Sequence, residues 1–179
     1  MVYLFLADGF EEVEALTPLD YLRRAEIPVT SVGIGTKMPV GAHGIAVQSD
    51  CMLEELPETF PFEMLILPGG LQGTQNLAKN EKVKRLLLQG MEDHKKIAAI
   101  CAAPSILGEL GLLNGKRAVC YPGFESKLKG AQIMDTPVVV DETVVTAIGA
   151  GAAQPFSFAL IELLVGKKKA EEIASQVQW

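Results

Sequence analysis

Cys101, Glu14 and the pair Gly69-Gly70 are the residues whose types and spacing could do chemistry in this sequence. Cys101 follows the apolar run Ile97-Ala98-Ala99-Ile100 and precedes Ala102-Ala103-Pro104. A buried strand that turns sharply into a helix exposes the side chain at the turn, and its neighbours must be small, the arrangement of a nucleophile elbow. Pro104 suits the first turn of a helix, where its missing N–H costs nothing. The partial positive charge of a helix N-terminus would lower the thiol pKa and favour the reactive thiolate. The competing reading is an inert, buried cysteine, a common fate of this residue type. Cys51 and Cys120 lack the strand-to-helix context and are expected to be structural or incidental.

Glu14 is expected one turn into the helix after the first strand, between the core candidates Val13 and Leu16. A carboxyl among apolar neighbours has a raised pKa, can stay protonated, and can exchange a proton with a nearby thiolate. Glu11 and Glu12 are expected to be solvated and to favour the positive end of that helix. Gly69-Gly70 follows the buried run Met64 to Leu67. Paired glycines there either bring backbone N–H groups close to a substrate oxyanion or simply make a strand-to-helix turn. His43 and His94 are expected at the surface, and neither follows a strand ending beside Cys101, so Cys–His catalysis has no base. Gly149-x-Gly151-x-x-Gln154 is an incomplete dinucleotide fingerprint, and no histidine or cysteine spacing marks a metal site.

The elements that must position these residues alternate in type. Val2 to Leu6, Pro28 to Gly33, Met64 to Leu67, Ile97 to Ile100, Ala118 to Cys120, Val138 to Val140 and Val144 to Ala147 read as strands. Glu11 to Ala25, Glu81 to His94, Ala153 to Leu164 and Lys168 to Val177 read as helices, with Lys167 to Lys169 expected in a solvated loop. Residues 38–50 suggest a small antiparallel excursion. Strands this apolar are buried on both faces, and helices between them imply parallel crossovers. The expected fold is α/β: a flavodoxin-like sandwich with a mostly parallel central sheet and helices on both faces. In such folds ligands bind outside the carboxyl ends of the strands, where all three candidate segments lie.

Composition sets the outer bounds. The chain has 179 residues, 49% of them hydrophobic, and a net charge of -6, which suits one ordered domain spanning residues 1–179. Acidic residues outnumber basic ones 22 to 16, so no basic face exists to displace phosphate counterions and nucleic acid is not an expected partner. Three cysteines without C-x-x-C spacing suit a reducing, cytoplasmic setting. The apolar start lacks a basic flank and runs into acidic residues, which argues against a signal peptide. The apolar stretch Phe158 to Val165 is too short to span a bilayer, so no membrane association is expected.

Together, Ala7-Asp8-Gly9-Phe10-Glu11-Glu12-Val13-Glu14, Leu67-Pro68-Gly69-Gly70 and Ala98-Ala99-Ile100-Cys101-Ala102-Ala103-Pro104 resemble the ThiJ/PfpI superfamily, in the branch of the Parkinson-linked deglycase and its bacterial relatives. The likeness runs end to end and includes Arg23-Arg24-Ala25, Cys120-Tyr121-Pro122-Gly123 and Phe158-Ala159-Leu160. It implies Cys101 as nucleophile and Glu14 as its protonated partner. The N–H groups of Gly70 and Ala102, beside Gly69, would line an oxyanion site, and Tyr121, Pro122 and Arg24 would lie at the pocket. It further implies a homodimer, no cofactor, and a small carbonyl substrate or glycated adduct. The activities it carries are conversion of methylglyoxal to lactate, deglycation, redox sensing through cysteine oxidation and chaperone-like binding.

Three departures from the superfamily's patterns stand out. Tyr121 replaces a histidine found in some members. Ala102 replaces the histidine that follows the nucleophile in protease-like members, which disfavours a peptidase. Thr146-Ala147-Ile148-Gly149-Ala150-Gly151 departs from the usual Thr-Ser-Arg-Gly-Pro-Gly loop. A glutamine amidotransferase would need a late His-x-Glu pair, which the sequence lacks.

Overall fold

A computed structural model describes residues 1–179. The chain runs β1 (Val2–Ala7), α1 (Glu12–Arg24), β2 (Val29–Ile34), β3 (Cys51–Met52), β4 (Met64–Leu67), α2 (Leu71–Lys79), α3 (Glu81–Glu92), β5 (Lys96–Ile100) and α4 (Pro104–Glu109). It continues with β6 (Arg117–Ala118), β7 (Gln132–Ile133), β8 (Val138–Asp141), β9 (Val144–Ala147), α5 (Ala153–Val165) and α6 (Lys167–Gln176). Seven strands form one sheet in the order β3-β2-β1-β4-β5-β9-β8, parallel throughout except for β8, which runs antiparallel to β9 at the edge.

The strands alternate their side chains between two cores. Val2, Leu4 and Leu6 of β1, Met64 and Ile66 of β4, and Ala98 and Ile100 of β5 face α1, α5 and α6. Phe5 and Ala7, Leu65 and Leu67, and Ile97 and Ala99 face the layer of α2, α3 and α4. Period-two alternation with both faces buried explains why these strands are continuously apolar. Fully burying one large aliphatic or phenyl group contributes about 1.5–3 kcal/mol, so the two cores together fix the sheet between its helices.

The chain moves outward from β1 in both directions, to β2 on one side and β4 on the other. The order therefore reverses between β1 and β4, and a crevice opens there at the carboxyl ends of the strands. Ala7, Leu67 and Ile100 end β1, β4 and β5 side by side, and the loops leaving them carry the candidate chemistry.

Several expectations need correction. The strand expected over Ala118 to Cys120 does not join the main sheet; β6 covers Arg117–Ala118 and pairs with β7 in a separate two-stranded ribbon. Lys167 to Lys169 open α6 rather than a loop, with Gly166 making the turn at a φ of 97° and Lys169 paired with Glu172 at 2.8 Å. The strand-to-helix turn at Gly69-Gly70 leads into α2, a helix with no range among those expected. The small antiparallel excursion expected at residues 38–50, by contrast, is present as an isolated bridge between Val40 and Ala46. No helix is long and apolar enough to cross a membrane.

Candidate active site

Cys101 sits at the end of β5 with a φ of 66°, in the left-handed region that residues with a Cβ rarely occupy. Such a conformation costs on the order of 1–3 kcal/mol and persists only where the surroundings over-determine it. Here the Cys101 N–H donates to Ala147 O at 2.9 Å, and its own carbonyl accepts from Tyr121 N at 2.8 Å. The backbone is thus pinned from β9 on one side and from the 121–123 loop on the other. Helix α4 begins three residues later with Pro104 at its first turn, so Cys101 stands before the helix end rather than on it.

Glu14 lies in the first turn of α1 with 1% of its surface exposed. Its Oε2 accepts from Gly69 N at 2.9 Å, and Cys101 and the Ala150 N–H lie close enough to act on its titration. A Cβ on Gly69 would fall on that Oε2 and lie 2.5 Å from Cys101 Cβ. Gly70 has a φ of 83°, and a Cβ there would lie 2.7 Å from Glu11 N. Both positions of the Pro-Gly-Gly turn therefore require glycine, the first for space and the second for space and dihedral.

Burial pushes Glu14 up to about 7, reinforced by the charge of Glu11 and opposed by its hydrogen bonds. Burial, then the charge and hydrogen bond of Glu14, push the Cys101 thiol up to about 12, while the N–H groups of Gly70 and Ala102 favour the thiolate. Desolvation and a like charge thus outweigh the helix-end field, contrary to the expected lowering. Between about 7 and about 12 the pair holds a single proton. Moving that proton from sulfur to carboxyl creates a thiolate beside a carboxylic acid with no change in net charge.

Cys101 opens into a cavity of about 360 Å³ lined by Glu11, Gly70, Leu71, Ala102, Tyr121 and Phe124. The structure thus brings Cys101, Gly70, Ala102 and Tyr121 to one cavity, with Glu14 and Gly69 directly beneath. Pro122 is exposed and does not line it. Arg24 lies elsewhere: it ends α1, about 15 Å along the axis from Glu14 at 1.5 Å per residue, and pairs with Asp20 at 2.7 Å.

Two contributors escaped sequence reasoning. Ala150 brings its N–H toward Glu14 from the loop after β9, where it favours the carboxylate, and Gly149 with Gly151 was its only signal. Glu12, expected in solvent, is 5% exposed. Its Oε1 accepts from His43 N at 2.8 Å, and its Oε2 lies 2.8 Å from His43 Nδ1, strapping the 40–46 loop onto α1. Burial acts to raise Glu12, but the hydrogen bonds from His43 and Ile45 hold it below the usual carboxylate range. Glu11, Glu12 and His43 bring potential ligand atoms within 4.8 Å of one another, but Glu12 is already committed to the loop.

The DJ-1/PfpI family model matches residues 1–163. "Protein DJ-1 homolog B" of Arabidopsis thaliana is 36% identical over 97% of this chain, which spans only 40% of that plant relative's length. "Glutathione-independent glyoxalase DJ-1" of Schizosaccharomyces pombe is 30% identical, covering 94% of this chain and 93% of the relative. The solved structure of oxidized Toxoplasma gondii DJ-1 superimposes with a TM-score of 0.95 at 31% identity, covering 99% of this chain and 97% of the other.

Proposed function

The chain belongs to the DJ-1/PfpI family, and on that premise we propose that it is a cysteine-dependent enzyme converting reactive α-oxoaldehydes such as methylglyoxal to 2-hydroxy acids. The observation that carries the reading is a strained cysteine in an apolar cavity, sharing one proton with a buried carboxyl. The name of the fission-yeast relative supports the same reaction class. Glycated adducts that present the same carbonyl chemistry are within its scope.

As the thiol proton passes to Glu14, Sγ attacks the aldehyde carbon. The S–C bond forms, and the carbonyl electron pair moves onto oxygen, facing the N–H groups of Gly70 and Ala102. Glu14 gives its proton to that oxygen. As a carboxylate it then takes the hydrogen of the former aldehyde carbon as a proton, leaving an enediolate, and returns it to the adjacent carbon. The hydroxyl proton on the first carbon's oxygen passes to the oxygen of the second, so that the first C–O becomes the thioester carbonyl and the second the 2-hydroxyl. The first carbon is oxidised and the second reduced, leaving a 2-hydroxyacyl thioester with no external oxidant or reductant. Water adds to the thioester, the S–C bond breaks, and the 2-hydroxy acid leaves with regeneration of the pair.

The test is lactate formation from methylglyoxal by the purified protein. Cys101→Ser and Glu14→Gln should each lose at least about a hundredfold, in keeping with the loss of a nucleophile or a proton carrier. Full turnover by Cys101→Ser would overturn the assignment.

A second reading has its own support. Cys101 is only partly buried and opens into a cavity, while Glu14 can donate a hydrogen bond to oxygens placed on its sulfur. The Toxoplasma relative was solved in oxidized form. On this reading the chain is a redox-sensing or chaperone-like protein that stops at Cys101 sulfinate. Peroxide treatment followed by peptide mass spectrometry decides it: equal oxidation of Cys51, Cys101 and Cys120 would remove the reading. A homodimer is part of the same proposal, supported by the half-exposed Val13 beside a cleft formed by Leu16, Thr17, Ala150 and Gly151.

A further inference from the structure

A second cavity of about 200 Å³ adjoins that of Cys101 and shares Leu71 and Phe124 with it as common walls. Nothing in the proposed reaction of methylglyoxal uses it. Its floor holds Thr74, which is 5% exposed and whose Oγ1 is the only buried side-chain polar atom in the chain with no hydrogen-bond partner. Buried hydroxyls are nearly always satisfied, and leaving one without a partner costs about 1–3 kcal/mol, so its retention calls for an explanation.

The charges are ordered along the two cavities. Glu11 stands at the Cys101 end. Lys79 and Lys127 line the second cavity, and neither forms an ion pair with any carboxylate of the chain. Lys127 Nζ lies 5.5 Å from the centroid of the Phe124 ring, the wall between the cavities, so its charge sits close to the boundary. Glu109, exposed and unpaired, and Gln75 complete the polar rim. Ser105 lines the same cavity, and its Oγ donates to Ala102 O at 2.7 Å, which ties this wall to the nucleophile turn.

We propose that this second cavity is a subsite for the anionic tail of a carbonyl substrate, with Lys127 and Lys79 attracting a carboxylate and Thr74, whose Oγ1 lies just beneath the cavity wall, turning that hydroxyl to donate to it. The inference rests on the α-oxoaldehyde reading and narrows its substrate class to oxo compounds bearing a carboxylate some bonds from the carbonyl. Glu11 repels an anion placed near sulfur with no cation beside it, whereas in the second cavity two lysines outnumber the single carboxylate of Glu109, so the tail is favoured toward the lysines and the carbonyl is left facing Cys101.

The test reads binding rather than turnover. The 4-oxopentanoate, 5-oxohexanoate and 6-oxoheptanoate anions are unreactive ketone probes with tails of increasing length, and their primary amides are neutral counterparts. Titration into 15N-labelled protein, followed by amide shifts of Thr74 and Lys127, should show at least one acid binding about tenfold tighter than its amide. Lys127→Glu combined with Lys79→Glu should abolish or invert that preference, and Thr74→Val should weaken it severalfold. Equal binding of acids and amides to the wild-type protein at every tail length, or a preference that survives in the double variant, would overturn the subsite. Methylglyoxal turnover by the wild-type protein reports separately on the parent reading. If turnover is absent while the acid preference holds, the reaction falls and the anion subsite stands.

Discussion

The amide of Gly69 donates to Glu14 Oε2 at 2.9 Å, joining residues 55 positions apart in the chain and holding the carboxyl beneath Cys101. The same glycine has no room for a Cβ, which would land on that oxygen. Gly69 therefore sets the distance between the two groups that share the proton. Gly69→Ala should displace the Glu14 carboxyl, lower turnover by at least about tenfold and destabilise the fold by about 1–3 kcal/mol, as overpacking of a tight interior does. Lactate assays alongside urea denaturation would check both, and a variant with normal turnover would show that the spacing is not critical.

Glu14 is stabilised as the acid, so its effect on stability has a definite sign. Burial raises its folded pKa to about 7 from the ordinary carboxyl value of 4.5. The native state therefore holds a proton that the unfolded chain releases. This contribution is fully present below 4.5 and is lost as pH rises through about 7. Over that window it amounts to about 3 kcal/mol at 1.36 kcal/mol per unit. Glu14→Gln cannot ionise, so it should be more stable than the wild-type protein at pH 8 and close to it at pH 4.5, while losing activity. Chemical denaturation of both proteins across that range measures the difference.

Turnover should depend on pH through the same pair. The reactive arrangement requires one proton shared by Glu14 and Cys101, a state populated between about 7 and about 12. The kcat/KM for methylglyoxal should therefore rise as pH increases through about 7 and show no fall across the alkaline range in which the protein stays folded. Alkylation of Cys101 by iodoacetamide should follow the same ascending limb, and Glu14→Gln should remove it. A profile flat from pH 5 to 9 would separate the chemistry from this pair.

Much of the site was legible in the sequence because three short segments each carry a local necessity. Ile97 to Ile100 is apolar on both faces, so the chain must leave the sheet where the apolar run stops, at Cys101. Pro68-Gly69-Gly70 marks a turn without room for side chains, and Glu14 stands out as an acidic residue beside Val13 and Leu16, although Val13 is half exposed and it is Gly69 that packs on the carboxyl. What was not legible depends on contacts between segments distant in the chain. The burial of Glu12 comes from the 40–46 loop folding over it, 31 residues away. The raised thiol of Cys101 comes from the depth of the pair and the charge of Glu14, which a helix-end argument does not contain. Arg24 was carried to the pocket by resemblance alone, and the length of α1 takes it to the opposite end.

His43 gives a prediction with the same sign as Glu14 but from the surface. Its hydrogen bond to Glu12, with the charges of Glu11 and Glu12, raises its pKa. Its contribution to stability is therefore present below the ordinary histidine value of 6.5 and is lost as pH rises through the raised folded value. His43→Gln should flatten the pH dependence of stability on the alkaline side of 6.5. It should also speed hydrogen exchange of the Ala42 and Ile45 amides, because the strap over Glu12 loses its charge-assisted bond. Unchanged exchange at both amides would mean that the bonds to Phe10 O and Glu12 Oε1 hold the loop without the imidazole.

Thr74 offers a trade between stability and binding. Its unpartnered Oγ1 is buried without compensation, and valine keeps the shape of the side chain while removing the polar atom. Thr74→Val should therefore stabilise the unliganded protein by about 1–2 kcal/mol, because the desolvation cost disappears and no native hydrogen bond is lost. For a chain of this length that corresponds to a rise in Tm of about 2–8 °C. Differential scanning calorimetry without added carboxylate would measure it. A fall in Tm would mean that the hydroxyl already has a solvent partner in the native state, and its retention would then need no ligand to explain it.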